Sequence, residues 1–234
     1  MRFYGSLKNS VTYRWPLILL ILVFSISGIW LKGDIEGLAV EQIQSLTTVE
    51  IIEYEGENLS SIIDFRENSI RGPQRVNIAE YRLEIVGLVQ DVKTFTYQEI
   101  LDNNEKYKKV STLFCVEGWN AKILWEGVLI KDLVGIDNIK PEVKTVIFHA
   151  QDGYTTSFPV EYIIDNDILL AYKMNEVTLP TERGFPFQLV AESKWGYKWI
   201  KWVTKIELSD DEDYRGYWES RGYDNEADLN ESFF

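Results

Sequence analysis

The chain's strongest constraint is a succession of short apolar, β-branched or aromatic runs, each closed by a turn signal, with little at helical spacing. Tyr81-Arg-Leu-Glu-Ile-Val86 alternates apolar and charged residues, the pattern of a half-buried strand. Val110 to Phe114, Ile123 to Trp125, Val128 to Ile130 and Thr145 to His149 follow as further runs, then Tyr154 to Phe158, Leu169 to Tyr172, Gln188 to Ala191 and Trp199 to Leu208. Glu55-Gly-Glu-Asn58 and Gln151-Asp-Gly153 read as turns, and Arg66 to Pro73 as a polar loop. Thr96-Tyr-Gln-Glu99 is a capping box that starts a short helix through Leu101, and a second short helical run lies near Asp132 to Val134. The prediction is an α+β, mainly β domain.

The N-terminus has a different character. The 17 residues from Trp15 to Leu31 carry no charge, which is the short end of what crosses ~30 Å of hydrocarbon. Trp15 and Trp30 stand where interfacial anchors belong. Arg2, Lys8 and Arg14 precede the run, and Asp34 and Glu36 follow Lys32, so the charge asymmetry predicts a single-pass anchor with the domain outside the cytoplasm. A signal peptide cleaved near Ser25-Ile-Ser27 is the alternative. The expected organisation is an anchor over residues 1–32, a connector over 33–63, the main domain over 64–223 and an acidic tail over 224–234.

Net charge excludes one class of partner. At −13, the surface cannot favour nucleic acid, which needs basic groups to displace counterions. One histidine excludes zinc sites built on several imidazoles, and one cysteine excludes both an internal disulfide and a tetrahedral thiolate site. No phosphate loop, dinucleotide fingerprint or nucleophile elbow occurs.

The single cysteine is placed suggestively. In Ser111-Thr-Leu-Phe-Cys-Val-Glu-Gly-Trp119 an apolar run stops at Cys115 and a Gly-Trp turn follows, so the sulfur belongs at a strand end. It is either a small buried hydrophobe or the protein ligand of a metal whose other ligands come from a prosthetic group. A Cys115–His149 nucleophilic pair is a third possibility. Glu192 to Trp202 sets Lys194, Lys198 and Lys201 among three tryptophans. That composition suits either a pocket for a planar, phosphate-bearing ligand or a wet basic strand face.

Taken together, several blocks resemble the molybdopterin-binding domain of the sulfite oxidase family, in the short branch related to the periplasmic methionine-sulfoxide reductase catalytic subunit. Over residues 64 to 223 the resemblance is carried by Cys115-Val-Glu-Gly-Trp119 with Trp125-Glu-Gly127, Asp152 to Pro159, Leu169-Leu-Ala-Tyr172, Gly184-Phe-Pro186 with Gln188-Leu-Val190, Gly196 to Val203 and Arg215 to Tyr223. It implies the sulfite oxidase-type fold and a molybdenum–molybdopterin cofactor, with Cys115 as metal ligand. It further implies that Lys198 and Lys201, with the backbone at Trp199 and Ile200, hold the pterin phosphate. Asn68, Arg71 and Gly72 fall where the family's upstream loop reaches metal and pterin, His149 and Ala150 end a cofactor-lining strand, and Tyr154 matches a tyrosine near the oxo-transfer site.

Two positions depart from the family. Arg183 stands where relatives have His or Asn, and Gln188 where they have Arg. Arg183 could restore the missing charge from a neighbouring position. The implied activity is oxygen-atom transfer on a small sulfite- or sulfoxide-type substrate. With no paired histidines for heme, electrons are expected to pass to a separate cytochrome or quinone-linked membrane partner, and the enzyme is expected to be a monomer. Exported relatives carry a twin-arginine signal, whereas Arg14 stands alone here. The competing class is a membrane-anchored binding domain that has kept the fold and lost the metal.

Overall fold

The computed structural model describes residues 50–234. The expected anchor over 1–32 and most of the connector lie outside the described residues. Among the described residues, no helix is long and apolar enough to cross a membrane.

A small hairpin opens the described chain, with β1 (Glu53–Tyr54) paired to β2 (Glu57–Asn58) around Glu55-Gly56. It is tied to the domain behind it. The buried Glu50 carboxylate accepts hydrogen bonds from the Ile62 N–H (2.9 Å) and the Asn175 amide (3.3 Å), and Ser60 N–H donates to Lys122 O (2.8 Å).

The remaining strands form two five-stranded sheets. The first is built on β5 (Tyr107–Phe114), β6 (Asn120–Leu129) and β9 (Leu169–Met174), all antiparallel, with β10 (Val177–Thr178) and β11 (Gln188–Val190) both pairing β9. The second runs β4 (Lys93–Phe95), β3 (Leu83–Gly87), β12 (Val203–Ser209), β7 (Thr145–Ala150), β8 (Thr155–Pro159). Among the described residues, only the β3–β12 pair is parallel. One apolar core draws on both sheets, with Ile123, Trp125 and Leu170 from the first and Ile85, Phe148 and Ile206 from the second, all at or near 0% exposed.

Among the described residues the helices are few and short, as the pattern predicts. In α1 (Tyr97–Asn103) the capping box forms: Thr96 Oγ1 accepts from Glu99 N–H (3.2 Å) while the Glu99 carboxylate accepts from Thr96 N–H (2.8 Å). The run near Asp132 is α2 (Ile130–Val134). A third helix, α3 (Val160–Asp165), has no counterpart in the sequence reading, because its buried Val160 and Ile163 span too few turns to reveal a period.

Two strand boundaries differ informatively. The runs at 123–125 and 128–130 fall in one strand, β6, up to Leu129, with Ile130 opening α2, and the register slips between Glu126 and Gly127. A Cβ at Gly127 would sit 2.5 Å from Leu170 O, so only glycine allows β9 to lie this close. The long run from Trp199 is strand only from Val203. Gly196–Lys198 is a 3-10 turn, and Trp202 adopts φ +52°, so residues 199–202 form a turn that carries side chains between the sheets.

Candidate cofactor site

Cys115 sits just past the end of β5. Its N–H donates to Trp119 O (2.9 Å) and its carbonyl accepts from Gly118 N–H (3.0 Å), closing the β5–β6 turn. Gly118 has φ +86°, a conformation open to glycine at no steric cost. The turn therefore fixes Cys115 on the wall of a cavity of about 460 Å³. Cys115 is 9% exposed, and burial is the chief cause that raises its thiol pKa. It is a protonated thiol at neutral pH unless a metal displaces the proton.

Opposite the sulfur lies the 65–70 loop. The Asn68 side-chain amide reaches Cys115 Sγ at 3.6 Å. Two cations of the far wall hold this loop. The Arg183 guanidinium donates to Phe65 O (2.7 Å) and Arg66 O (3.2 Å) and packs over the Phe65 ring, while Lys201 Nζ pairs with the Glu67 carboxylate at 2.8 Å and donates to Glu182 O at 3.2 Å. Burial pulls the Arg183 pKa down to about 10 and lowers that of Lys201; at neutral pH the guanidinium remains a cation. Tyr154 donates its hydroxyl hydrogen to Tyr197 O at 2.5 Å, and burial pushes its pKa far up.

The tertiary structure thus brings Asn68, Cys115, Tyr154, Arg183, Gln188, Trp199, Ile200 and Lys201 onto one cavity. The other expected residues lie elsewhere. Arg71 is exposed and Gly72, with φ +76°, shapes the following turn through its carbonyl, which accepts from the Gln74 amide (2.7 Å). Ala150 is a buried core residue at the end of β7. His149 points to β12, its Nε2 2.9 Å from a Glu207 carboxylate oxygen, so it forms no pair with Cys115 across the cavity. Lys198 turns inward, 1% exposed, with Nζ 2.8 Å from Glu219 and 2.7 Å from Ser157 O. Of the two lysines, Lys201 is the one at the cavity. Gly196 serves the site in an unanticipated way: its missing Cβ would lie 3.0 Å from Phe114 O and 3.4 Å from Cys115 Cα, so the glycine lets the lysine-bearing turn pack against the cysteine backbone.

Sequence reasoning missed several wall residues, among them Glu67, Trp119 and Glu182. Glu67 and Trp119 flank Asn68 and Cys115 and were legible by proximity alone. Nothing local marks Glu182.

Whether these walls suit a molybdenum–molybdopterin group can be judged from unmet bonding capacity. Trp119 Nε1, Arg183 Nε and Glu182 Oε2 are all buried without a hydrogen-bond partner in the protein, and all three residues line this cavity. Leaving such atoms unpaired costs about 1–3 kcal/mol each, a cost that a polar, heterocyclic ligand removes. The volume is in the range of small-molecule sites. A lone thiol beside an anion-binding Lys201 is the donor set of a metal held mainly by an organic, phosphorylated ligand. The residues fit the group.

Comparison with known proteins agrees. The family profile of the oxidoreductase molybdopterin-binding domain matches residues 70–218. The uncharacterised oxidoreductase YuiH of Bacillus subtilis is 29% identical over 157 residues, covering 67% of this chain and 78% of that protein. The putative protein-methionine-sulfoxide reductase subunit YedZ1 of Azospira oryzae is 32% identical over 150 residues, 64% of this chain and 56% of its own. Mitochondrial sulfite oxidase of Drosophila melanogaster is 28% identical over 184 residues, 64% and 32%. The last two alignments span about half and a third of those relatives. Among solved structures, the sulfane dehydrogenase SoxCD of Paracoccus pantotrophus superposes with a TM-score of 0.58 at 21% identity, covering 89% of this chain and 56% of that one. The chain belongs to the oxidoreductase molybdopterin-binding domain family and is a molybdopterin-binding oxidoreductase of sulfite oxidase-type fold.

Proposed function

We propose that the protein is a membrane-anchored, extracytoplasmic monomer that transfers an oxygen atom to or from a small sulfite- or sulfoxide-type substrate and exchanges electrons with a separate cytochrome or quinone-linked membrane partner. The observation that carries this reading is the placement of Cys115 Sγ at the cavity wall, within 3.6 Å of the Asn68 amide and on the same cavity as Tyr154 and Arg183. When bound, the cofactor supplies two-electron oxo-transfer chemistry at molybdenum.

The chain's own residues hold and tune. Cys115, on losing its proton, would be the protein ligand of the metal, and the Asn68 N–H directed at the sulfur would draw electron density from the thiolate. Lys201 offers a point charge to a phosphate in place of Glu67. Tyr154 stays protonated because burial raises its pKa, and its O–H, donated to Tyr197 O, fixes the ring on the cavity wall, where the hydroxyl oxygen can still accept. Arg183 adds a fixed positive charge that favours an anionic or strongly dipolar substrate.

The test is the molybdenum and pterin content of the full chain made in a cofactor-competent host, beside Cys115→Ser. The expected result is about one molybdenum and one pterin per chain, with a protein sulfur ligand visible by X-ray absorption in the wild type and absent from the variant. A folded wild-type protein that carries neither metal nor pterin would favour the non-catalytic binding domain.

A further inference from the structure

Glu182 is an odd residue to find in a cavity built for a phosphorylated, anionic ligand. It lies in the 3-10 turn Thr181–Arg183, entered from Pro180 and closed by Gly184 at φ +100°. Its side chain is 5% exposed, and Oε2 is fully buried without a donor. Its neighbours do not satisfy it. Arg183 spends its terminal nitrogens on the carbonyls of Phe65 and Arg66, and Lys201 meets Glu182 only through the backbone carbonyl while pairing with Glu67. The turn is rigid besides, since Trp202 Nε1 donates to Thr181 O (2.8 Å) and Lys201 Cβ would lie 3.1 Å from a Cβ at Gly184. The carboxylate is held in place near the Arg183 charge, with Oε2 dry and without a donor.

A buried carboxylate accepts hydrogen bonds and donates none. Phosphate oxygens and oxo groups are acceptors as well, so neither can satisfy it. Single N–H donors also occur on the second ring of a reduced pterin, but its aminopyrimidinone ring presents two donors side by side, the exocyclic amine and the adjacent ring N–H. That pair is the complement of a carboxylate fork. The two other unmatched atoms of residues lining this cavity, Trp119 Nε1 and Arg183 Nε, are donors and fit the ring's acceptors or the phosphate. We propose that Glu182 is the residue that recognises the pterin ring, accepting its two N–H donors and so setting which way round the cofactor enters. This rests on the cofactor assignment above and adds a specific recognition contact to it.

The test compares the full chain with Glu182→Gln and Glu182→Asp, reading pterin and molybdenum per chain after purification, the rate of pterin loss on dialysis, and the melting temperature of the cofactor-free forms. Glutamine has the same shape but turns one acceptor into a donor facing a donor. The expected result is a cofactor-free Glu182→Gln protein that melts at or above the wild-type temperature, because a buried unmatched carboxylate has been removed, yet loses pterin at least 10-fold faster. Glu182→Asp keeps the acceptors and falls between the two. Equal occupancy and equal loss rates in wild type and Glu182→Gln would overturn the inference while leaving the cofactor assignment standing. A wild type that loads no pterin would overturn both.

Discussion

Three positions separate Lys198 from Lys201, and the two have opposite fates. Residues 196–198 form a 3-10 turn, so Lys198 turns inward and Lys201 reaches the cavity. Lys198 is buried against Glu219, which also accepts from Thr156 Oγ1 at 2.6 Å. Burial lowers the lysine pKa, and the Glu219 charge opposes that shift. A buried pair of this kind contributes little net stability, but removing one partner strands the other, at about 3–5 kcal/mol. Lys198→Met should therefore lower stability by that amount in urea unfolding, and the double variant Lys198→Met/Glu219→Leu should recover most of it. A single variant with an unshifted midpoint would show that the pair is not buried as described. The motif Gly196 to Val203 flagged both lysines, but it could not say which one faces inward. That depends on Glu219, some twenty residues further on.

Among the elements, β6 shows best how the fold positions the site. Its N-terminal end follows the Cys115 turn, and its C-terminal half is drawn against β9 through the slip at Gly127. Gly127→Ala would push a methyl carbon to 2.5 Å from Leu170 O and 2.8 Å from Ala171 Cα, both backbone atoms that cannot swing aside. The expected cost is about 1–3 kcal/mol, read as a lower urea midpoint. An unchanged midpoint would mean that the two strands separate freely. The sequence shows the two halves of this strand as apolar runs, but the slip joining them shows only as a glycine, whose need comes from β9. The turn over 199–202 was hidden for a related reason. Trp199, Ile200 and Trp202 are as buried as strand residues, so hydropathy reads them as strand, although positive φ at Trp202 breaks the ladder.

At the scale of the whole molecule, the fold organises one cavity from distant pieces of chain: the 65–70 loop, the Cys115 turn, Tyr154 and the 182–202 segment. Residues 224–234 also pack on this body rather than trailing away. Asp228 pairs with Lys194 (2.7 Å), and the Phe233 ring lies 5.2 Å from Trp195. The anchoring proposal belongs at this scale. The full chain is expected in the membrane fraction, resistant to high salt because the protein's −13 charge gives no electrostatic hold on anionic lipid. A chain lacking residues 1–32 is expected in the soluble fraction. Protease added to intact spheroplasts should digest the domain; protection of the domain would reverse the proposed orientation.

By itself the sequence determined the mainly β architecture, the capped helix after Thr96 and the cysteine at a strand end, since each depends on neighbours within a few residues. It also carried the family resemblance, because the blocks from Cys115 to Tyr223 keep their order along the chain. Only the tertiary structure decided that Lys201 and not Lys198 faces the cavity, that His149 belongs to Glu207, and that Glu182 Oε2 is buried without a hydrogen-bond donor. Pattern and propensity are read over short windows, whereas whether a charged group is paired, wet or stranded depends on residues tens of positions away, which only folding brings within 3 Å.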